Sequence, residues 1–315
     1  MIKTLVLENY AVSALALLHA QGGFEITQDL KNLAEIEVLL IRSRTQIDKA
    51  FLDKAAKLKL VVTATSGFDH IDWRECQRRG VICAHSPNAN AASTAELAFT
   101  LMLAFERKLI EARRNVRENR WREGLTRPHG LGGQTLGIIG IGRVGRRVAA
   151  IAKALDMKLI GYDPYIEESV FAELEIERHG MIEVLRTADI VSLHVPLTKE
   201  TKHLLNLPTF KEMQEQALLV NTCRGPVVDE NDLMVALDEG LIRGAAMDVI
   251  EREPPPAGHR ILTHPKLLMT PHIGAFTDRA WEKASNEAVE KVIAYKNNQP
   301  IGDTLPLSTA WFENA

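Results

Sequence analysis

The run Thr135-Leu-Gly-Ile-Ile-Gly140-Ile-Gly142-Arg143-Val144-Gly145-Arg-Arg-Val-Ala-Ala constrains this chain more than any other segment. Residues 135–139 read as a buried strand, the residues from Arg143 onward as a helix start, and the glycines between as a tight turn. Gly140 permits the turn, Gly142 lets backbone approach a pyrophosphate, and Gly145 lets helix pack closely on strand. Val144 belongs to the same phosphate-facing loop; Arg143 either reaches the pyrophosphate or is simply exposed. Asp163 closes the next strand, where a carboxylate bonds the adenosine ribose hydroxyls. That carboxylate repels the extra 2′-phosphate of NADP, and Pro164 and Tyr165 behind it offer no arginine to hold one. NAD is therefore the expected cofactor.

Around this motif, short apolar runs alternate with helical stretches. Residues 3–7, 38–41, 60–64 and 80–83 form one series of expected strands, with a helix such as 48–56 between them. A second series follows at 135–139, 158–162, 190–193, 217–221, 244–249 and 267–270. Such alternation builds parallel βα units, and a series of six strands with one glycine turn after the first suits a doubly wound domain. Between the two series, residues 93–119 read as one long helix, capped by Ser93 or Thr94 and dense in charge from Glu106. The charged half is either a solvated face or a subunit contact. A last helix at 278–296 is expected to cross back to the first series. The fold class is thus α/β, with two Rossmann-like doubly wound parallel-sheet domains. Residues 93–273 form the cofactor domain, inserted in a substrate domain built from 1–92 and 274–315.

Composition narrows the function classes. The 315 residues are 46% hydrophobic and 25% charged, with a formal net charge of -3. That balance creates no basic field to draw the chain onto nucleic acid or anionic lipid, so small-molecule chemistry is expected. The N-terminal MIKTLVLENY reads as a strand without the features of a signal peptide, and no segment approaches the ~18 apolar residues of a membrane span. Cys76, Cys83 and Cys223 are odd in number and form no C-x-x-C pair, so neither a disulfide framework nor a metal site is read, and a reducing cytoplasm is expected.

Five further motifs stand in order along the chain: Thr65-Ser66-Gly67-Phe68-Asp-His-Ile-Asp72; His194-Val195-Pro196-Leu-Thr198; Asn221-Thr222-Cys223-Arg224-Gly; Asp248-Val-Ile-Glu-Arg-Glu253-Pro-Pro255; and Pro271-His272-Ile-Gly274. With the glycine loop, they resemble the D-isomer-specific 2-hydroxyacid dehydrogenase family over nearly the whole chain. Reducing a 2-keto acid needs a cation for its carboxylate and carbonyl oxygen and an acid for the developing alkoxide. Singly, Arg224 reads as a salt-bridge partner, Glu253 as a loop carboxylate and His272 as a loop histidine. The resemblance makes them the catalytic set: Arg224 holds the substrate, His272 exchanges the proton, and Glu253 bonds the other imidazole nitrogen. It further implies that backbone N–H groups of Ser66, Gly67 and Phe68 meet the substrate carboxylate. His194, Val195, Pro196 and Thr201 line the cofactor, and Thr222, Cys223, Asp248, His272 and Gly274 face the nicotinamide end. Asp69 and His70 only stabilise their turn. A nucleophilic role for Cys223 has no adjoining base to support it.

Within the family, the pattern is closest to the phosphoglycerate dehydrogenases of serine biosynthesis, through Ile41-Arg42-Ser43-Arg44-Thr45, the Gly-Tyr-Asp-Pro segment ending at Pro164, and Thr94-Ala-Glu-Leu-Ala98. A substrate phosphate needs arginines, and Arg42 and Arg44 stand on a strand-end loop that suits one. Thr63 stands where those enzymes often have a second phosphate-binding arginine. The chain ends near the return helix, so a C-terminal serine-sensing domain is expected to be absent. Hydroxypyruvate or glyoxylate reductase is the alternative enzyme reading, an NAD-sensing corepressor-like binding protein the alternative of another class, and a homodimer built on residues 93–119 the expected assembly.

Overall fold

The computed structural model describes residues 1–309, 311 and 312. Of the expected 274–315 segment, residues 310 and 313–315 lie outside the described residues. In chain order, β1 (Ile2–Val6), α1 (Val12–Ala20), β2 (Phe24–Thr27), β3 (Val38–Ile41), α2 (Lys49–Lys54), β4 (Leu60–Thr63), α3 (Trp73–Arg78) and β5 (Ile82–Ala84) come first. Then follow α4 (Ala91–Glu106), α5 (Leu109–Arg117), β6 (Thr135–Ile139), α6 (Arg143–Ala154), β7 (Lys158–Tyr162), α7 (Glu168–Glu173), β8 (Glu177–Arg178), α8 (Met181–Thr187) and β9 (Ile190–Leu193). The chain continues through α9 (Leu207–Phe210), β10 (Leu218–Asn221), α10 (Glu230–Glu239), β11 (Gly244–Met247), β12 (Leu267–Met269), α11 (Asp278–Lys296) and β13 (Thr304–Leu305). Two compact units result: Met1–Ala91 with Ala275–Phe312, and Ala92–Gly274.

The first unit holds a six-stranded sheet of order β13-β5-β4-β3-β1-β2, parallel except for the antiparallel β13. The second holds a seven-stranded parallel sheet of order β12-β11-β10-β9-β6-β7-β8. Each order reverses once, between β1 and β3 and between β6 and β9. Every residue of β3, β4, β9, β10 and β11 is buried, as strands covered by helices on both faces require. Truncating one of these, Leu39→Ala for example, should cost about 2–5 kcal/mol. α11 packs on α1 within the first unit, so the last long helix returns to the first strand series.

Three features depart from the sequence reading. The single helix at 93–119 is two helices, broken where Lys108 takes a left-handed φ of 50°. At that break, buried Glu106 is ion-paired with Arg243 and the Phe105 ring abuts Gly244, so tertiary contacts pin the end of α4. The strand expected at 80–83 is displaced to Ile82–Ala84, because Gly80 sits in a turn at φ 72°. β2, β8 and β13 were not foreseen; all are short edge strands without a clear apolar run.

Candidate active site

β6 ends at Gly140, whose φ of 98° only glycine adopts readily, and a Cβ there would lie 2.6 Å from the His194 carbonyl oxygen. The chain then enters α6 with Gly142 at its N-cap, a residue with no side chain to cap the helix. Beyond β7, Asp163 accepts from the Ile141 amide through Oδ2 (2.8 Å) and from the Tyr165 amide through Oδ1 (3.0 Å). The carboxylate thus ties the glycine loop to the end of β7. Arg143 is exposed and Val144 half-buried on the first turn of α6.

Two buried polar atoms at the ends of β9 and β10 have no hydrogen-bond partner among the described residues: His194 Nδ1 and Thr222 Oγ1. The other ring nitrogen of His194 lies 2.8 Å from Ser192 Oγ, and burial pushes the imidazole down to about 3, so it stays neutral. Orphaned buried groups beside a glycine loop and an open helix N-terminus fit a polar, phosphate-bearing dinucleotide. Thr201 holds the neighbouring loop: its hydroxyl donates to the Pro196 carbonyl (2.6 Å) and accepts from the Thr198 amide (2.8 Å). Val195 and Pro196 lie on that loop.

After β10, Asn221 folds the next turn. Its Oδ1 accepts from the Cys223 amide (3.0 Å), and its Nδ2 donates to the Arg224 carbonyl (3.0 Å). Gly225 is packed so closely that a Cβ would sit 1.9 Å from the Ile250 carbonyl carbon, which seats Arg224 against the loop carrying Glu253. Cys223 is a poor nucleophile, since burial pushes its thiol up to about 11.

Nδ1 of His272 lies 2.6 Å from Oε2 of Glu253, whose Oε1 accepts from the Ile250 amide (3.1 Å). His272 itself takes a left-handed φ of 53°, a conformation that costs a non-glycine residue about 1 kcal/mol or more. Asp248 holds it there. The Asp248 backbone oxygen accepts from the His272 amide, and its buried carboxylate takes the Thr270 hydroxyl and the Ile273 and Gly274 amides at 2.6–2.8 Å. The hydrogen bond to Glu253 raises the His272 pKa against the opposing effect of burial; Arg224 nearby lowers it and Asp248 raises it. Burial works to raise the Glu253 carboxyl, but the His272 hydrogen bond and charge, the Ile250 amide and Arg224 outweigh it, and the net shift is downward.

In the first unit, the turn at Ser66–Phe68 is braced from below. Thr65 Oγ1 donates to the Gly67 carbonyl (2.7 Å), His70 Nε2 lies 3.1 Å from Thr63 Oγ1, and His85 Nδ1 lies 2.8 Å from the Ser66 carbonyl. His85, which also packs edge-on against Phe68, was not picked out by motif, being an isolated histidine at a strand end. Arg42 follows β3, Arg44 is exposed, and the loop between them is fastened to Glu8. Among the described residues, His203, Asp229 and Glu251 group closely enough to suggest a cation site, but the two imidazole nitrogens face different carboxylates, at 3.3 and 3.2 Å.

A parallel sheet whose order reverses at a glycine loop, with orphaned polar groups beside it and a histidine–carboxylate pair on its far strand ends, defines a Rossmann-type dinucleotide-binding protein. Residues 99–274 match the model of the D-isomer specific 2-hydroxyacid dehydrogenase, NAD binding domain. The chain belongs to this family. It is 36% identical to D-3-phosphoglycerate dehydrogenase of Methanocaldococcus jannaschii over 93% of this chain, and spans 57% of that relative's length. It is likewise 36% identical to hydroxypyruvate reductase of Thermotoga maritima, over 89% of this chain and 93% of that one. D-lactate dehydrogenase of Aquifex aeolicus, solved with NAD and lactic acid, superposes with a TM-score of 0.86 at 27% identity, covering 97% of this chain and all of that one. No helix among the described residues is long and apolar enough to cross a membrane.

Proposed function

We propose that this protein is an NAD-dependent dehydrogenase interconverting a D-2-hydroxy acid and its 2-keto acid, with 3-phosphoglycerate and phosphohydroxypyruvate as the substrate pair. The observation that carries the reaction is the 2.6 Å contact between His272 Nδ1 and Glu253 Oε2, which fixes the ring and leaves Nε2 to meet a substrate oxygen.

The glycine loop, Asp163 and the Thr222–Cys223 turn would hold NAD, which when bound supplies or accepts the hydride. Arg224 binds the substrate carboxylate and draws charge toward the carbonyl oxygen. His272, whose protonated form Glu253 favours, gives its Nε2 proton to that oxygen during reduction; in oxidation the neutral ring takes the proton from the hydroxyl. Asp248 acts by holding the His272 loop in its strained conformation.

The finer assignment, to a phosphorylated acid, is supported by Arg42. Its Nη1 is buried without a hydrogen-bond partner, and no carboxylate pairs with its guanidinium among the described residues. A half-buried guanidinium with no ion-pair partner within reach favours binding an anion, and the Glu8 charge acts on it only from a distance. Steady-state NADH oxidation with phosphohydroxypyruvate, hydroxypyruvate, glyoxylate and pyruvate tests the reading, with the highest kcat/KM expected for phosphohydroxypyruvate. Preference for hydroxypyruvate or glyoxylate would make it a reductase like the Thermotoga relative. Absence of turnover with all four would favour an NAD-sensing binding protein.

We further propose a homodimer in the reducing cytoplasm, in keeping with three free thiols. Leu109, Ile110, Val116 and Trp121 on and after α5 are exposed and apolar, and a second copy would cover them.

A further inference from the structure

In the first unit, the sheet order reverses between β1 and β3, and a doubly wound sheet opens its binding crevice at the carboxyl ends of the strands flanking such a reversal. Glu8 and Tyr10 follow β1, and Arg42 follows β3. The Glu8 carboxylate is committed to the loop: Oε1 accepts from the amides of Arg42 (3.1 Å) and Thr45 (3.1 Å) and from Thr45 Oγ1 (2.9 Å), and Oε2 from the Arg44 amide (3.3 Å). Tyr10 donates its buried hydroxyl to the Ile41 carbonyl (2.7 Å) and is held neutral by burial. The Arg42 guanidinium therefore has no side-chain acceptor from either neighbour. Instead it lies over the Trp281 indole of α11, with Cζ 4.0 Å from the ring centroid and Nη1 buried and unpartnered.

A guanidinium is planar, delocalised and weakly hydrated, so an aromatic ring can cover its face while the edge donors stay available for two oxygens of a phosphate. We propose that Trp281 is the positioning residue that confers specificity for a phosphate monoester on the substrate. The indole holds the Arg42 plane fixed, and the aligned edge receives the phosphate oxygens. Glu8 contributes by shaping the Arg42–Thr45 backbone while making no ion pair with the guanidinium. This inference rests on the phosphorylated-substrate reading above. It adds that the aromatic partner, on a helix distant in sequence, sets how well the arginine discriminates.

The test compares KM and kcat for phosphohydroxypyruvate and hydroxypyruvate in the wild type, Trp281→Leu, Trp281→Phe and Arg42→Ala. Trp281→Leu should raise KM for the phosphorylated acid about tenfold, leave hydroxypyruvate within about twofold and spare kcat, with Trp281→Phe recovering most of the loss. In parallel, titration with 3-phosphoglycerate should change tryptophan emission in the wild type and leave Trp281→Phe unchanged. If Trp281→Leu affects both substrates equally or neither, while Arg42→Ala still discriminates, Trp281 has no such role and the substrate reading stands. If Arg42→Ala also fails to discriminate, the substrate reading itself falls, and this inference with it.

Discussion

Glu253 divides its carboxylate between two partners: Oε2 lies 2.6 Å from Nδ1 of His272, and Oε1 accepts the Ile250 amide. One side chain thereby orients the imidazole and is itself held by the backbone of the loop it stands on. The His272 ring thus gains both a fixed orientation and a nearby negative charge.

The pH dependence follows from that charge. Because the His272 pKa is raised, reduction of the keto acid should be full below the raised value and decline as pH rises through it, while oxidation shows the opposite limb. Glu253→Gln keeps a hydrogen bond but removes the charge, so the alkaline limb for reduction should move to lower pH. His272→Ala should abolish most turnover and leave NAD affinity nearly unchanged. Unmoved pH profiles in Glu253→Gln would separate the glutamate from the titration.

Asp163 should make NAD preferred over NADP by at least about tenfold in kcat/KM, since a 2′-phosphate dianion beside a carboxylate costs more than ~1.4 kcal/mol. Asp163→Ser should narrow that preference. It should also weaken NAD binding, because the Ile141 and Tyr165 amides lose their acceptor. Equal efficiency of the wild type with both cofactors would remove this role.

The Glu106–Arg243 pair holds the end of α4 to the start of β11, and the Glu106 side chain is fully buried. Arg243→Ala should therefore destabilise the fold by about 3–5 kcal/mol, since it leaves a carboxylate buried without its cation. Adding Glu106→Gln should recover part of the loss. Urea unfolding midpoints of the three proteins would show it, and an Arg243→Ala midpoint equal to wild type would contradict it.

The apolar face of α5 gives a test of assembly. Light scattering at micromolar concentration should report a dimer for the wild type and a monomer for Ile110→Glu combined with Trp121→Glu, with the far-UV circular dichroism unchanged. A wild-type monomer would end the proposal.

Much of this could be read without coordinates, because it is written in local backbone chemistry. Gly140, Gly142 and Gly145 announce a strand, turn and helix through conformations that only their own few residues decide. The fully apolar runs of β3, β4 and β9 mark doubly covered parallel strands for the same reason. Arg224, Glu253 and His272 could be gathered into one site because their motifs come in a recognisable order. The rest depends on side chains that meet only after folding. Nothing near Lys108 breaks the helix by propensity; the break follows from Glu106 and Phe105 being pinned against β11. Asp248 was legible as a site residue, but its work as the anchor of the His272 loop depends on Thr270, Ile273 and Gly274 converging on one carboxylate. Arg42 was legible as a candidate for binding an anion, whereas the Glu8 carboxylate accepting from the loop amides and Trp281 stacking on the guanidinium were not. Periodicity and motif spacing sense neighbours along a chain, while the charge balance of a buried arginine is set by whichever distant elements the sheet and its return helix bring beside it.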